Sequence, residues 1–238
     1  MAIKPILFNT EMVRANLDGR KSCTRRLVKF LPGESPQWTG YISDGLMLYN
    51  GRNEPCIMKA PYQPGDILYV RETWYKGLER YIYRADYSDT EKFYRGGKET
   101  EMKWHPSIHM PKEAARIWLK VTDVHVERLQ EIDEDGVWNE GFRFKPPCLT
   151  RVSADGHTCD LDGPCTSSIK YCDMTMGELF GMELWNSTIK KSDLDRYGWD
   201  ANPWVWAISF ERCEKPEEKS QFAWNDAIHK LMREENHG

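Results

Sequence analysis

The sequence predicts a mixed α+β fold, in which several short strands form a small β-barrel flanked by helices. Strand and helix patterns alternate irregularly along the chain. No glycine-rich turn joins a strand to a helix, which argues against a doubly wound nucleotide-binding fold. In the longest strand pattern, residues 116–129, the apolar positions change phase near Thr122 and Asp123. Such a change indicates a β-bulge of the kind that curves a sheet.

The composition is that of a globular protein. Of the 238 residues, 40% are hydrophobic and 12% aromatic, which is enough apolar surface for a core and too much for a disordered chain. No segment approaches the roughly 18 consecutive apolar residues that cross a bilayer, so we expect no membrane partner. The formal net charge of −4 disfavours tight binding to long duplex nucleic acid, yet it permits a small basic pocket.

The expected compartment is a reducing cytoplasm. Residues 1–9 contain no apolar signal segment, and the seven cysteines do not form an even, disulfide-like framework. In a reducing compartment, clustered cysteines bind metal more often than they pair with one another.

The N-terminal part of the chain combines one short helix with an irregular segment. Asn9 or Thr10 can cap a helix, and Gly19 provides the left-handed residue that ends it. Residues 30–62 are rich in Gly, Pro and Asn and indicate an irregular excursion, with a hairpin around residues 40–49.

Strand patterns dominate the middle of the chain. Residues 67–71 are apolar on both faces, as expected of a strand buried on two sides. Residues 81–84 form a second strand pattern, and the charged stretch 86–103 indicates a loop. The bulged strand over residues 116–129 follows.

Two helices and a last strand are predicted in the C-terminal half. A short helix over residues 133–140 ends at Gly141, and residues 175–187 have the apolar spacing of an amphipathic helix. Residues 204–210 alternate as a strand with one heavy aromatic face. Helical spacing returns from residue 220.

We therefore predict one domain over residues 1–213 and a helical tail over residues 214–238. An insertion interrupts the domain at residues 142–172, where periodicity disappears. The insertion contains His157 and four cysteines, Cys148, Cys159, Cys165 and Cys172. Structural zinc held by the four thiols would tie this loop, although the spacing lacks a CxxC knuckle. Reduced cysteines in a loop without metal are the alternative.

The turn over residues 19–26, with the sequence GRKSCTRR, concentrates cationic and hydroxylic donors after a helix stop. If residues 21–24 form a turn, Lys21 and Thr24 lie on one side of it. A partly desolvated lysine beside a hydroxyl is one way to activate a nucleophile. The alternative is a basic turn that only faces water.

Two further motifs contain charged residues at the ends of elements. Glu140 is predicted at a helix C-terminus, where its charge opposes the macrodipole and requires a nearby Lys or Arg. Gly65-Asp66 precedes the buried strand, which ends in Arg71-Glu72-Thr73-Trp74. A salt bridge at the strand end is the plain interpretation of the second motif.

Together these motifs resemble the signature of the ASCH domain, a PUA-like β-barrel family. The resemblance lies in the Gly-Arg-Lys-x-x-Thr-x-Arg turn, in Gly65-Asp66 before a strand, and in Glu140 eleven residues after Leu129. The chain is more closely similar to phage and prophage ASCH proteins over residues 4–213. The segments that carry this similarity are residues 64–74, 106–111 and 198–204.

One branch of that family is an amidohydrolase that removes the acetyl group from N(4)-acetylcytidine with a Lys, a Thr and a Glu. The resemblance implies Thr24 as nucleophile or substrate-positioning hydroxyl, Lys21 as its base and Glu140 as the proton carrier to the leaving amine. Hydrolysis of an amide needs an attacking oxygen, a group that accepts its proton, and an acid that protonates the departing nitrogen. We expect substrate contacts from Arg26, Arg71, Glu72 and Trp74. No organic cofactor is expected, and the cytoplasm is that of a host cell if a phage encodes the protein.

The rival hypothesis is an RNA-binding or modified-base-binding module, or a ribonuclease, of PUA-like type. The basic turn then grips a phosphate, and Trp74 or Trp104 stacks a base. The expected partner is accordingly a small nucleoside or a short single-stranded RNA.

Overall fold

The computed structural model describes residues 1–29, 37–42, 45–49, 55–95, 98–100, 102–143 and 174–217. The strands in chain order are β1 (Ile3–Leu7), β2 (Cys23–Leu27), β3 (Gln37–Ile42), β4 (Gly45–Tyr49), β5 (Pro55–Lys59), β6 (Ile67–Arg71), β7 (Trp74–Lys76), β8 (Tyr81–Tyr83), β9 (Phe93–Arg95), β10 (Lys98–Thr100), β11 (Trp118–Arg128) and β12 (Trp204–Cys213). The helices are α1 (Thr10–Leu17), α2 (Glu134–Asn139), α3 (Met176–Leu179), a π-helical stretch (Phe180–Trp185), α4 (Asn186–Thr188) and α5 (Leu194–Tyr197). The predicted α+β class is confirmed.

A mixed five-stranded sheet forms the centre of the fold, in the order β1-β6-β11-β12-β2. Strand β1 pairs with β6 in parallel, and the other neighbours are antiparallel. The register between β11 and β12 shifts between Val121 and Asp123. The predicted bulge is therefore confirmed, and it lies where the two longest strands pair.

The N-terminal helix α1 begins and ends as predicted. The Asn9 side chain accepts a hydrogen bond from the backbone N–H of Met12 at 2.8 Å. Gly19 has a φ of +73°, the left-handed conformation that glycine adopts without a steric penalty. The chain is thereby turned directly into the basic segment that precedes β2.

Strand β12 separates two cores. Both of its faces are therefore apolar and buried, whereas the sequence predicted one apolar face. Trp206, Ile208 and Phe210 pack with apolar residues of β1, β6 and β11 on one side of the sheet. Val205, on the other side, packs with residues of α2 and the helical segment 176–188. Since helices cover this second face, Val205 and Ala207 are as deeply buried as the aromatic residues.

The helix predicted over residues 175–187 is present with a π-helical stretch in its middle. Thr175 caps it, accepting from the backbone N–H of Glu178 at 3.2 Å. The ring of Trp199 packs against Gly181, where a Cβ atom would lie 2.1 Å from Cδ2 of the indole. A glycine is therefore required at that position for the ring to lie against the helix.

Smaller sheets account for the remaining strands. The predicted hairpin around residues 40–49 is confirmed as β3 and β4, and β5 adds a third strand. Strands β9 and β10 form a short hairpin within the stretch predicted as a charged loop. Among the helices that the structure describes, none is long and apolar enough to span a membrane.

Two predictions fall outside the described residues. The insertion over residues 142–172 is described only at its first two positions, and the tail over residues 214–238 only as far as residue 217. The predicted zinc ligands and the predicted terminal helix therefore stay predictions.

Candidate active site

The basic turn is joined to the end of α2 by backbone and side-chain contacts. Lys21 and Glu140 form an isolated antiparallel bridge. Beside them, the backbone N–H of Ser22 donates to the carbonyl of Asn139 at 2.9 Å, and Arg20 Nη1 donates to the carbonyl of Gly141 at 2.9 Å. The stop of α1 at Gly19 and the stop of α2 at Gly141 thus lead both chain segments into one place.

Lys21 and Glu140 form a buried ion pair, with 2.6 Å between Nζ and Oε2. The lysine side chain is 0% exposed and the glutamate side chain 4% exposed. The same amine donates to the carbonyl of Cys23 at 2.8 Å and to that of Glu140 at 3.0 Å. Three acceptors match the three N–H bonds of an ammonium group.

The second oxygen of Glu140 is held by Arg25. Its Oε1 accepts from the backbone N–H of Arg25 at 2.6 Å and lies 3.5 Å from Nη1 of the same residue. The expectation that a carboxylate at this helix end needs a cationic partner is confirmed. Both carboxylate oxygens are fixed, so the orientation of Glu140 is set before any ligand arrives.

The turn predicted over residues 21–24 is wrong, because β2 begins at Cys23. Thr24 is buried on the opposite face of β2 from Arg25. It pairs with Ile208 of β12, and Arg26 is the next residue on the same face. The Thr24 hydroxyl makes no hydrogen bond to any residue that the structure describes, and Lys21 donates elsewhere. In the chain, Thr24 lies between two residues that contact the ion pair, since Lys21 donates to the carbonyl of Cys23 and Glu140 accepts from the backbone N–H of Arg25.

A cavity of about 510 Å³ opens between the two outer strands of the central sheet. Residues of β1 and β2 form two of its walls, and Lys59, Pro61 and Tyr62 form a third. Arg26 and Arg71, both expected to contact the substrate, line it. We call this space the basic cavity; its lining residues are Pro5, Ile6, Leu7, Arg26, Leu27, Lys29, Lys59, Pro61, Tyr62, Arg71 and Trp206.

Lys21, Thr24 and Glu140 are not among the described residues that line the basic cavity. Thr24 is two residues before Arg26 on one face of β2, a separation of about 7 Å along a strand. Arg26 donates from Nη2 to the carbonyl of Leu7 at 2.8 Å, which links the two sides of the cavity. Burial lowers the pKa of the Arg26 guanidinium, and the charge of Glu140 acts on it in the opposite direction.

Glu72 and Trp74, the other two expected substrate contacts, do not line the basic cavity. Glu72 is 1% exposed and accepts from Arg116 at 2.9 and 3.0 Å, so its carboxylate is occupied by a bidentate pair. Trp74 is 8% exposed, with its ring 5.0 Å from that of His105 and 5.6 Å from that of Tyr81. Strand alternation turns Glu72 away from Arg71, and Trp74 belongs to a separate core.

A polar network that the sequence analysis missed leads from the surface to Glu140. His125 Nδ1 lies 2.7 Å from Asp123 and its Nε2 lies 3.3 Å from Glu127. Glu127 accepts from Arg25 Nε at 2.6 Å, and Arg25 contacts Glu140. The sequence signal was the alternation of polar residues at positions 123, 125 and 127 of one strand, which places them on one face.

This network makes stability depend on pH. The hydrogen bond to Glu127, more than that to Asp123, raises the pKa of His125 from 6.5 to about 9 against the opposing effect of burial. Because the pKa is higher in the folded state, the stabilisation is complete below pH 6.5 and is lost as the pH rises towards 9. We expect the free energy of unfolding to fall over that interval, and less steeply in His125→Gln.

Denaturant unfolding at a series of pH values measures this effect. His109→Gln is the control, because His109 is an exposed residue of a short 3₁₀ turn outside the network. Parallel pH profiles for the wild type and His125→Gln would contradict the assignment.

Gly141 is expected to be essential for the junction between the turn and α2. Its φ is +81°, and a Cβ atom there would lie 2.7 Å from Cβ of Ala15 and 3.1 Å from Cβ of Lys21. We expect Gly141→Ala to lower the free energy of unfolding by about 2–4 kcal/mol, the sum of left-handed strain and overpacking.

Gly19→Ala provides the matched control for urea unfolding. Gly19 also has a positive φ, but no atom lies within 4 Å of its Cβ position. Only strain of about 1 kcal/mol is therefore expected there. Equal losses in the two variants would show that the contact with Ala15 and Lys21 has no energetic weight.

The structure offers no alternative metal centre within the residues it describes. No group of three or more His, Cys, Asp or Glu side chains in that part of the chain is arranged to hold a metal ion. The predicted ligands Cys148, Cys159, Cys165 and Cys172 lie outside it.

Comparison with protein-family models, with curated proteins and with solved structures finds no match to this chain.

Proposed function

We propose that the protein is an amidohydrolase that removes the acetyl group from N(4)-acetylcytidine or a similar N-acylated nucleoside. The observation that carries this proposal is the buried contact of 2.6 Å between Lys21 and Glu140, 119 residues apart. The two residues also contact Cys23 and Arg25, the chain neighbours of Thr24. These residue types match those of the amidohydrolase branch of the ASCH domain family, which the motifs resemble. We assign Thr24 the role of nucleophile, rather than that of a hydroxyl that only positions the substrate.

The proposed fold is a PUA-like barrel. Ile6 and Phe8, at one edge of the central sheet, share a core with Val28, which follows the strand at the other edge. The hydrogen bond from Arg26 to Leu7 also spans the two edges. Both observations support a sheet that curves strongly towards closure.

The acylation step uses the ion pair as a proton relay. Lys21 passes a proton to Glu140, which leaves a neutral amine and a neutral carboxyl; a buried site favours neutral groups. The amine then takes the hydroxyl proton of Thr24 as its Oγ1 bonds to the acyl carbon. The bond from the acyl carbon to N4 breaks, and the Glu140 carboxyl protonates the departing amine, which leaves cytidine and an acetyl ester on Thr24.

Deacylation repeats the relay with water as the nucleophile. Lys21 again transfers a proton to Glu140, and its neutral amine accepts a proton from the water that attacks the ester. The Glu140 carboxyl returns a proton to Thr24 Oγ1, so that acetic acid leaves and the starting charges of the pair are restored. The cytoplasm is the compartment we propose for this reaction.

Incubation of the purified protein with N(4)-acetylcytidine tests the proposal, with cytidine and acetate measured by chromatography. We expect both products in equal amounts, and neither above background with Glu140→Gln, which keeps the shape of the side chain but cannot carry the proton. Product formation by the wild type no faster than by Glu140→Gln would contradict the proposal.

A second candidate is a binding module without amidase activity. It is favoured by the lining of the basic cavity, in which the described residues include four cations and Trp206 but no carboxylate. Affinity for a short single-stranded RNA at low salt, falling as salt rises, together with no release of cytidine from N(4)-acetylcytidine, would favour this candidate over the amidohydrolase.

A further inference from the structure

The charge of the basic cavity contrasts with that of the whole protein. The chain has a formal net charge of −4. The described lining of the cavity nevertheless contains no Asp or Glu, and its four charged residues are all cations: Arg26, Lys29, Lys59 and Arg71. A concave surface with one sign of charge concentrates ligands of the opposite sign.

These four cations are not neutralised by partners in the described part of the chain. Arg26 and Arg71 donate to backbone carbonyls, those of Leu7 at 2.8 Å and Met110 at 2.6 Å, and neither forms an ion pair. Lys29 and Lys59 are exposed and likewise make no ion pair there. Each guanidinium has five N–H donors, so both arginines retain donors for a ligand.

Glu140, whose charge influences Arg26, does not offset the charge of the cavity. Glu140 acts on Arg26 at a distance. Its own carboxylate is already paired with Lys21 and contacts Arg25. Burial also disfavours the charged form of Arg26, so an anion bound in the cavity would stabilise that charge by pairing with it.

We infer that the basic cavity binds a phosphate monoester, and that the substrate is a 5′-mononucleotide carrying an acylated base rather than the free nucleoside. Planar guanidinium groups match the geometry of phosphate oxygens, and lysines at the rim add point charges. A volume of about 510 Å³ is within the range that holds a ligand of this size. The substrate part of this inference depends on the proposed amidohydrolase activity, whereas the phosphate site does not.

Calorimetric titration with cytidine 5′-monophosphate, cytidine and inorganic phosphate tests the site without any turnover. We expect the monophosphate to bind at least about tenfold more tightly than cytidine at low salt, with the advantage shrinking as salt is added. Inorganic phosphate should compete with the monophosphate. Equal affinities for the monophosphate and cytidine would overturn the inference.

Variants locate the effect in the basic cavity. Arg71→Gln and Lys59→Gln should each lower the ratio of the two affinities towards one; Lys59 is exposed, so its variant does not depend on a buried contact. Lys120→Gln is the control, because Lys120 is an exposed lysine outside the cavity. A ratio unchanged in both cavity variants would overturn the inference.

Kinetics separate this inference from the proposed function. If the wild type hydrolyses the N(4)-acetylated monophosphate with a KM at least about tenfold below that for N(4)-acetylcytidine, both stand. Hydrolysis of both with equal KM values overturns the inference alone. Tight binding of the monophosphate without hydrolysis of either compound overturns the function and leaves the phosphate site standing. Binding of a 5′-phosphorylated oligoribonucleotide but not of the monophosphate overturns the mononucleotide assignment.

Discussion

Replacing Lys21 by methionine is expected to lower the free energy of unfolding by about 3–5 kcal/mol, because it leaves the Glu140 carboxylate buried without its main partner. Glu140→Leu is expected to cost a similar amount, since it strands the Lys21 amine, whose side chain is 0% exposed. Urea unfolding followed by tryptophan fluorescence measures both losses. If either variant retains wild-type stability, the pair is not the buried ion pair described above.

The double variant Lys21→Met/Glu140→Leu is the decisive control for this prediction. Removing both charges eliminates the unpaired ion, so the loss should be smaller than the sum of the single losses by about 1–3 kcal/mol. Some loss remains, since the carbonyl of Cys23 and the backbone N–H of Arg25 lose their partners. Strict additivity would mean that the two side chains do not interact.

Thr24→Val is expected to lower kcat for N(4)-acetylcytidine by at least about 10³-fold, because it removes the proposed nucleophile. The same change should alter the free energy of unfolding by less than about 1 kcal/mol, since the hydroxyl makes no hydrogen bond to the described residues. Steady-state release of cytidine and urea unfolding of the same preparation measure the two effects.

Thr24→Ser serves as the matched control. It keeps the hydroxyl at the same position of β2 and loses only a methyl group, so most of the activity should remain. A Thr24→Val variant that is unfolded would show that this residue is needed for packing, and one with wild-type activity would remove Thr24 from the mechanism.

Local patterns predicted the elements that position the site. The helix ends at Gly19 and Gly141 could be predicted, because only glycine adopts the left-handed conformation easily. That Glu140 has a cationic partner could also be predicted, because a carboxylate at a helix C-terminus opposes the macrodipole. These features did not identify the partner of Glu140; only the resemblance to the ASCH domain joined it to Lys21.

Long-range pairing set the features that the sequence did not reveal. The basic cavity depends on the parallel pairing of β1 with β6 and on the position of β2 at the far edge, neither of which leaves a periodic signal. The inclusion of Lys29 and Lys59 in its wall follows from that topology. The pairing of Glu72 with Arg116, 44 residues away, is equally invisible to local patterns.

Rapid-quench mass spectrometry of the wild-type protein mixed with N(4)-acetylcytidine tests whether Thr24 is the nucleophile. We expect an acetylated peptide that contains Thr24, formed as cytidine appears and lost as acetate is released, with neither cytidine nor acetate released by Thr24→Val. Release of cytidine by Thr24→Val at the wild-type rate, with no acetyl group on the Thr24 peptide of the wild type, would contradict it.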